Sequence, residues 1–361
     1  MKIPYMDLTV SSKSYKKELL EAVDRVLSHG RLILGPELSL FEHRVCEYLS
    51  VSNCVGVGSG TDALFLSLKN FNIGPGDEVI TTSLSWIATA NAITLTGAKP
   101  VFVDIGDDLN IDYMKIEENI TSKTKAIIPV HYSGKICEIE QILFIARKYN
   151  LYVIEDAAQA FGAKRDNRFA GSFGDMAAFS MNPMKILNSY GESGVIVFNN
   201  SDYENKLRSL VYNGTIDKEN CYYPSINGRM DTIQAAMLLV NLKNIDKKIA
   251  RRKEIALKYK VALQGKYGLI EQKDNELQSY YNFILRTEDR FNLVKHLSLN
   301  GIETKVHYPL MMPSHKAYSK NYNLEYFPNA LKASQEILSI PNHENLSNEE
   351  VDYIINKLLS F

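Results

Sequence analysis

Short apolar strands and helical segments alternate over the first two-thirds of the chain, and this alternation limits the possible folds more than any other feature. Helical patterns such as TDALFLSLKNF (61–71) and CEIEQILFIARKYN (137–150) lie between the strands. The predicted strands are CVGVG (54–58), EVITT (78–82), KPVFVDI (99–105), KAIIPVHY (125–132), LYVIEDA (151–157), MAAFSM (176–181) and SGVIVFN (193–199). Because these strands are apolar on both faces, we expect an α/β fold whose mainly parallel seven-stranded sheet has helices on each side.

The last third of the chain has a different pattern, which predicts a second and smaller α/β domain. A continuous helical pattern covers residues 231–264, and a helix of that length often connects two domains. Beyond it, a strand, a helix and a strand at 302–309 are predicted, followed by a final helix. We therefore place a large domain at residues 1–245 and a small C-terminal domain at residues 246–361, with an N-terminal segment that could pack against the small domain.

Composition and charge argue against several classes of function. The 41 basic and 42 acidic residues leave a net charge of -1, which gives no reason to expect nucleic acid or an anionic membrane as a partner. The four cysteines are scattered without the spacing of a disulfide framework or a zinc site, so no metal is predicted. No apolar run approaches the ~20 residues of a membrane span, and the N-terminus lacks the apolar core of a signal peptide. We expect a cytoplasmic protein.

Two adjacent carboxylates, Glu155 and Asp156, follow the apolar run at 151–154 and precede a series of small residues. Charged groups are rarely buried without a partner, and the neighbouring sequence supplies none. Parallel α/β sheets bind ligands beyond the carboxyl ends of their strands. Asp156 is therefore either a helix cap or ion-paired carboxylate, or the counter-ion of a buried cation in a ligand.

Three further features follow predicted strands. VGVGSGTDAL (55–64) runs from a strand through a glycine-rich turn into a helix, which is either a plain turn or a phosphate site. Trp86 is either a core residue or a surface for a planar ligand. Lys185 is either an exposed loop lysine or an amine that forms a Schiff base. Pyridoxal 5′-phosphate would account for all of these features together with Asp156, since its pyridine nitrogen needs a carboxylate to stay protonated.

The order of the motifs resembles that of the DegT/DnrJ/EryC1/StrS family of sugar aminotransferases, which are fold-type I pyridoxal-phosphate enzymes with a large domain and a smaller C-terminal domain. The likeness covers nearly the whole chain. The matching segments are SGTDAL (59–64), ATANAI (88–93), GAKPVFVDI (97–105), EDAAQAFGA (155–163), GSFGDMAAFS (171–180), FSMNPMK (179–185), INGRMDTIQAAM (226–237) and VHYPL (306–310).

The resemblance implies a role for individual cofactor-binding residues. Lys185 is the catalytic lysine that forms the Schiff base, and Asp156 pairs with the pyridine nitrogen. Gln159 lies near the phenolic oxygen of the cofactor. The remaining cofactor contacts that the resemblance implies are Gly60, Thr61 and Ser180 at the phosphate, Trp86 on the ring, and Asn227 at the phosphate of the neighbouring subunit. The role of Asn227 implies a homodimer with two shared sites.

The resemblance also implies the reaction, namely transfer of an amino group from L-glutamate to a nucleotide-linked keto sugar of the 3- or 4-keto-6-deoxy type for glycan or polysaccharide biosynthesis. The residues expected to contact the substrate are Arg31, Arg229, His307, Tyr308 and His315. The segment LMMPSHKAY (310–318) departs from the family pattern, which leaves open a smaller phosphorylated ketone or a cyclitol ketone as the substrate. A non-catalytic sensor that binds pyridoxal phosphate is the alternative from another class of protein.

Overall fold

A computed structural model describes residues 1–217 and 219–361 and contains the predicted seven-stranded sheet. All seven predicted strands are present in it, with bounds that differ by a few residues. In chain order the strands are β1 Asn53–Val57, β2 Glu78–Thr82, β3 Lys99–Val103, β4 Thr124–Ile128, β5 Tyr152–Asp156, β6 Lys164–Arg165, β7 Arg168–Phe169, β8 Met176–Ser180, β9 Gly194–Phe198, β10 Gly268–Leu269, β11 Glu276–Leu277, β12 Phe283–Arg286 and β13 Ile337–Ile340.

The large sheet has the strand order β1-β9-β8-β5-β4-β2-β3. Strand β9 runs antiparallel to its neighbours β1 and β8, and the other strand pairs of this sheet are parallel. The carboxyl ends of β5 and β8 therefore lie side by side at one edge of the sheet. This arrangement brings Asp156 and Ser180, which end these two strands, to the same edge.

Helices cover both faces of the sheet, as the apolar strands predicted. The helices are α1 Lys13–His29, α2 Pro36–Leu49, α3 Gly60–Asn70, α4 Ala88–Leu95, α5 Ile139–Tyr149, α6 Glu204–Val211, α7 Thr232–Leu242, α8 Ile245–Leu263, α9 Arg290–Leu299, α10 Pro328–Glu336 and α11 Asn348–Leu359. Val153 packs in the hydrophobic cluster beneath α2, α5 and α7, whereas Ile154 packs in the opposite cluster beneath α3, α4 and α6. Across the described residues, these helices do not include one with the length and apolar character of a membrane span.

The predicted helix over residues 231–264 is divided into α7 and α8, so the expectation of one unbroken helix is wrong. Both helices contact Asn188, which lies three residues beyond Lys185. The side chain of Asn241 in α7 donates to the backbone oxygen of Asn188, and Lys248 Nζ in α8 donates to its Oδ1 over 3.0 Å.

The C-terminal third forms an antiparallel three-stranded sheet of order β10-β12-β13 that packs with α8, α9 and α11. The predicted strand at 302–309 is wrong, because this segment makes only isolated bridges and β13 takes the place beside β12. The N-terminal segment contacts this region, since Ile3 forms a parallel bridge with Ile302. The division of the chain at residues 245 and 246 stays a prediction.

Candidate active site

A cavity of about 560 Å³ lies at the carboxyl ends of β5 and β8 and is also lined by residues 307 and 308 of the C-terminal third. It lies where a parallel sheet is expected to bind its ligand. The cavity brings together nine of the residues proposed from the sequence, which are Gly60, Thr61, Trp86, Asp156, Gln159, Ser180, Lys185, His307 and Tyr308. These residues are separated by up to 248 positions in the chain, so the tertiary fold alone makes them neighbours.

Asp156 is the buried acid of this cavity. Its side chain accepts a hydrogen bond of 2.7 Å from Thr89 Oγ1 and one of 3.2 Å from the backbone N–H of Ala158. Burial raises the pKa of Asp156, while these hydrogen bonds and the positive charge of Lys185 act in the opposite direction. Ionised Asp156 is therefore incompletely compensated by the protein, and a cation in the cavity would stabilise it.

The backbone N–H groups of Gly60 and Thr61 open helix α3 at the other end of the cavity. Ser59 caps the helix by accepting a 3.0 Å hydrogen bond from the backbone N–H of Asp62, and neither Gly60 nor Thr61 donates its N–H to another described residue. A Cβ atom at Gly60 would lie 2.6 Å from the Cβ of Ser180, so only glycine allows this close approach of α3 to β8. Free donors at a helix N-terminus suit a phosphate group.

Gln159 is held in one orientation by its neighbours. Its Oε1 accepts a 2.7 Å hydrogen bond from the backbone N–H of Ser133, and its Nε2 donates to the hydroxyl of Tyr308 over 3.2 Å. Because the backbone N–H of Ser133 can only donate, it must face Oε1 of Gln159, which leaves Nε2 of the same amide facing Tyr308. Trp86 lies close by, with its ring 5.6 Å from the ring of Tyr308 and 57% of the residue exposed.

Lys185 projects from the loop after β8 and places its Nζ 4.4 Å from the ring centroid of Tyr281. His307 lies nearby and is anchored by a 3.0 Å hydrogen bond between its Nδ1 and Ser339 Oγ. Burial, together with the charges of Lys185 and Lys305, lowers the pKa of His307 to about 4. His307 is therefore neutral at physiological pH, and Lys185 is not repelled by a second cation at this position.

Pyridoxal 5′-phosphate fits this arrangement of residues. The buried Asp156 lacks a full cationic partner, the start of α3 offers free N–H donors, and Lys185 supplies an amine. Trp86 offers an exposed aromatic surface against which a planar ring can lie. Within residues 1–217 and 219–361, no group of three or more His, Cys, Asp and Glu side chains is placed to hold a metal ion.

Four of the residues proposed from the sequence lie outside this cavity. Asn227 is exposed and its Oδ1 accepts a 2.7 Å hydrogen bond from Arg229 Nε. Arg229 lines a different, mainly apolar cavity of about 600 Å³ and stacks on the ring of Tyr212. Arg31 is exposed and donates to the backbone oxygen of Leu34, and the half-buried His315 is not among the residues that line the cavity.

Two residues that contact the proposed catalytic pair were not predicted from the sequence. Thr89 bonds Asp156 from a position 67 residues away, and Tyr281 contacts Lys185 from a position 96 residues away, as the numbering shows. Thr89 belongs to the segment ATANAI (88–93), and Tyr281 lies just before β12. The sequence carries no local signal for either contact, because each depends on how separate elements pack.

Comparisons with known proteins agree with the fold and the cavity. The profile of the DegT/DnrJ/EryC1/StrS aminotransferase family matches residues 13–359. The chain is 39% identical to the dTDP-3-amino-3,6-dideoxy-alpha-D-galactopyranose transaminase of Aneurinibacillus thermoaerophilus, with 98% of each chain covered. It is 34% identical to the UDP-2-acetamido-2-deoxy-3-oxo-D-glucuronate aminotransferase of Pseudomonas aeruginosa, again with 98% of each covered.

The structural comparison extends over the same length. The sugar aminotransferase Spr1654 of Streptococcus pneumoniae, described as putative and solved in its PMP form, superposes with a TM-score of 0.94 at 28% identity and covers 100% of this chain and 97% of its own. The sequence match and the structural match both span the chain from end to end. The chain therefore belongs to the DegT/DnrJ/EryC1/StrS aminotransferase family and is a pyridoxal 5′-phosphate-dependent transaminase.

Proposed function

We propose that this transaminase moves an amino group from L-glutamate to the keto group of a nucleotide-linked sugar, for the synthesis of a glycan or polysaccharide. The observation that carries this proposal is the shared cavity, in which Lys185 and the buried Asp156 accompany the phosphate-binding start of α3. The named relatives, which act on dTDP- and UDP-linked sugars, support the class of acceptor. They do not favour a small ketone, a cyclitol or a non-catalytic sensor.

Asp156 is proposed to bind the protonated pyridine nitrogen of the cofactor. When bound, pyridoxal 5′-phosphate supplies an aldehyde that a lysine amine captures and a cationic ring that withdraws electrons from the carbon being deprotonated. Asp156 keeps that ring protonated, because a cation beside a buried carboxylate stabilises both charges. Thr89 holds the carboxylate in place through its 2.7 Å hydrogen bond.

Lys185 is proposed to move the proton. Its Nζ would take the proton from the amino-bearing carbon of the substrate, hold it, and give it back within the same half-reaction, while the cofactor would supply the electron-withdrawing ring. The same amine reverses these transfers when the keto sugar enters. The loop that carries Lys185 is held by the hydrogen bonds of Asn241 and Lys248 to Asn188, which keep the amine in the cavity.

The remaining cavity residues are proposed to orient the cofactor. Gly60, Thr61 and Ser180 bind its phosphate, and Trp86 stacks on the ring. Gln159 would offer its Nε2, which donates to the Tyr308 hydroxyl in the structure, to the phenolic oxygen, since its Oε1 is engaged by the backbone N–H of Ser133.

His307 and Tyr308 are proposed to contact the sugar substrate, since they line the wall of the cavity contributed by the C-terminal third. Arg31, Arg229 and His315 would reach it only from outside this cavity or from a second subunit. Arginine suits the diphosphate of a nucleotide sugar, because its planar fork matches phosphate oxygens.

A homodimer in the cytoplasm is part of the proposal. Asn227 and Arg229 lie away from the cavity of their own chain, which fits a role at the phosphate and substrate of a neighbouring subunit. The four free cysteines are compatible with a reducing compartment. Activity should therefore fall on dilution below the dissociation constant of the dimer. Full activity of a dilute monomer, identified by its sedimentation, would contradict the shared site.

The substrate is tested with a panel of dTDP-, UDP- and GDP-linked 3- and 4-keto sugars, each offered to the purified protein after reaction with glutamate. We expect glutamate to change the visible absorbance of the bound cofactor and one keto sugar to restore it. Small keto-phosphates and cyclitol ketones serve as the competing substrates. If a small ketone restores the absorbance faster than every nucleotide sugar, the proposed acceptor is wrong.

A further inference from the structure

The amine of Lys185 has an aromatic ring, not a carboxylate, as its immediate partner. Its Nζ lies 4.4 Å from the centroid of the Tyr281 ring, within the distance at which an ammonium group is attracted to a π face. Among the described residues, Lys185 Nζ forms neither a hydrogen bond nor an ion pair within 4.0 Å. The ring is therefore the principal contact of this amine when no cofactor is attached to it.

Tyr281 is fixed in position by the protein. It is 6% exposed, belongs to the main hydrophobic cluster, and packs against the ring of His307 at a centroid distance of 6.3 Å. Its backbone oxygen accepts a 3.3 Å hydrogen bond from Arg252 Nη1. Its hydroxyl makes no hydrogen bond to another described residue, so the ring face is the part of this side chain that Lys185 contacts.

We propose that the ring of Tyr281 holds the ammonium group of Lys185 whenever the lysine is not bound to the cofactor. Tyr281 is then a positioning residue for both half-reactions, because each half-reaction releases Lys185 and needs it to stay close enough to move a proton. This inference rests on the proposed role of Lys185. Nothing in the sequence motifs assigns a role to Tyr281.

Other charged and titratable groups surround Lys185. The wild type and the Tyr281 variants must share all of these groups if their pH dependence is to report on the ring alone. The groups line the two cavities that meet at this lysine and are Asp156, Glu192, His307 and Tyr308 on the cofactor side, and Asp7, Tyr15, Glu18, Tyr190, Lys248, Arg252 and Glu344 on the other. A substitution that changes only the ring at position 281 leaves all of them in place.

The test measures how fast the cofactor-free protein captures pyridoxal 5′-phosphate as a function of pH, by the visible absorbance of the product. Capture requires a neutral amine, so its pH midpoint reports how strongly the protein favours the ammonium form. The titrations of the cofactor itself are common to all variants. In Tyr281→Leu the π face is lost, and we expect the midpoint to fall by about 0.5 to 1.5 pH units. Tyr281→Phe keeps the face and should keep the midpoint of the wild type.

If the leucine variant fails to fold, the same pH midpoint is measured in proteins that carry phenylalanines of increasing fluorine content at position 281. Fluorine weakens the negative face of the ring with little change of shape, so the midpoint should fall in step with fluorination. Tyr280→Leu is the matched control, since Tyr280 is also buried but its ring centroid lies 5.5 Å from Lys260 Nζ, and its ring is not the one that contacts Lys185. Its midpoint should stay that of the wild type.

Two results would overturn the inference. One is a midpoint that does not respond to loss or fluorination of the ring in folded protein, and the other is a Tyr281→Phe midpoint as low as that of Tyr281→Leu. Failure of the proposed function would give a different result. The protein would still capture pyridoxal 5′-phosphate through Lys185, and Lys185→Ala would not, but glutamate would leave the absorbance of the bound cofactor unchanged. The Tyr281 comparison is still measurable in that case.

Discussion

Glu155 and Asp156 are adjacent residues of β5, yet their side chains lie on opposite faces of the sheet in two different environments. Glu155 is wholly buried and accepts hydrogen bonds from the backbone N–H groups of Gly171, Phe173 and Gly174 at 2.7 to 2.8 Å. Its Oε2 also lies 2.8 Å from His131 Nε2. Asp156 receives only two hydrogen bonds, and its side chain lines the cavity.

The pKa values of the two acids move in opposite directions for this reason. Burial acts to raise the pKa of Glu155, but the interactions with His131 and the backbone N–H groups together lower it. Burial raises the pKa of Asp156, and its fewer partners do not compensate. Two buried carboxylates can therefore serve different purposes: a fully hydrogen-bonded one stabilises the loop after it, while a partly bonded one is available to a ligand.

The largest effect expected from this comparison is that of Asp156→Asn on catalysis. A neutral amide does not favour the protonated pyridine, so the rate at which glutamate changes the cofactor absorbance should fall about 100- to 1,000-fold. The cofactor-free protein should not lose stability, because the variant removes an incompletely compensated buried charge. Stopped-flow absorbance and thermal unfolding measure the two quantities. Unchanged turnover would make Asp156 a purely structural residue.

Glu155→Gln should have the reverse effect. The amide nitrogen cannot accept from the backbone donors around it, and unsatisfied buried donors cost about 1–3 kcal/mol of unfolding free energy. Urea unfolding of the cofactor-free variant measures this loss, with Asp156→Asn as the matched comparison. The folded fraction should still transaminate at a rate within about threefold of the wild type, since Glu155 does not line the cavity. A stable Glu155→Gln variant with no turnover would break the distinction between the two acids.

Tyr308→Phe tests a weaker interaction in the cavity that Asp156 lines, namely the hydrogen bond between Gln159 and the Tyr308 hydroxyl. It removes the hydroxyl that accepts from Gln159 Nε2, a contribution of about 0.5–1.5 kcal/mol. We expect the keto-sugar half-reaction to slow by about 3- to 10-fold while the glutamate half-reaction changes less. Single-turnover kinetics separate the two. His315→Ala is the comparison from outside the cavity, and an equal loss in both half-reactions for Tyr308→Phe would place this residue at the cofactor instead of the sugar.

The smallest expected effect is on the pH dependence of stability, measured as the melting temperature of the cofactor-free proteins. The lowered pKa of Glu155 contributes stability that is present above its unfolded pKa of about 4.3 and lost as the pH falls. The raised pKa of Asp156 means that its ionisation destabilises the fold, a penalty that is absent below its unfolded pKa of about 3.9 and grows as the pH rises.

At neutral pH, Glu155→Gln should therefore melt below the wild type and Asp156→Asn above it, and the three melting temperatures should converge in acid. A constant spacing between wild type and Glu155→Gln below about pH 4 would contradict the lowered pKa of Glu155, and a constant spacing between wild type and Asp156→Asn from pH 7 to about pH 4 would contradict the raised pKa of Asp156.

Much of the fold was predictable because it depends on local patterns. Each strand of the large sheet carries its own apolar run, so the seven strands and the parallel arrangement followed from the sequence. The prediction of a strand at 302–309 failed for the opposite reason: this segment pairs only at isolated bridges, with Ile3 and with Ser339 of β13, and these contacts depend on tertiary packing. The contacts of α7 and α8 with Asn188, more than 50 residues away in the chain, likewise follow from tertiary packing.

What the sequence by itself determined is the set of chemical groups at the ends of the strands and their family, because these are carried by short motifs such as SGTDAL and EDAAQAFGA. What only the tertiary structure decided is which of those groups meet. Glu155 and Asp156 are adjacent in the sequence, but their side chains lie on opposite faces of β5 because the strand is pleated. There Glu155 contacts His131, 24 residues away in the chain, and Asp156 contacts Thr89, 67 residues away. Hydrogen bonding, burial and charge act through space, so the difference between a structural acid and a ligand-binding acid exists only after the chain has folded.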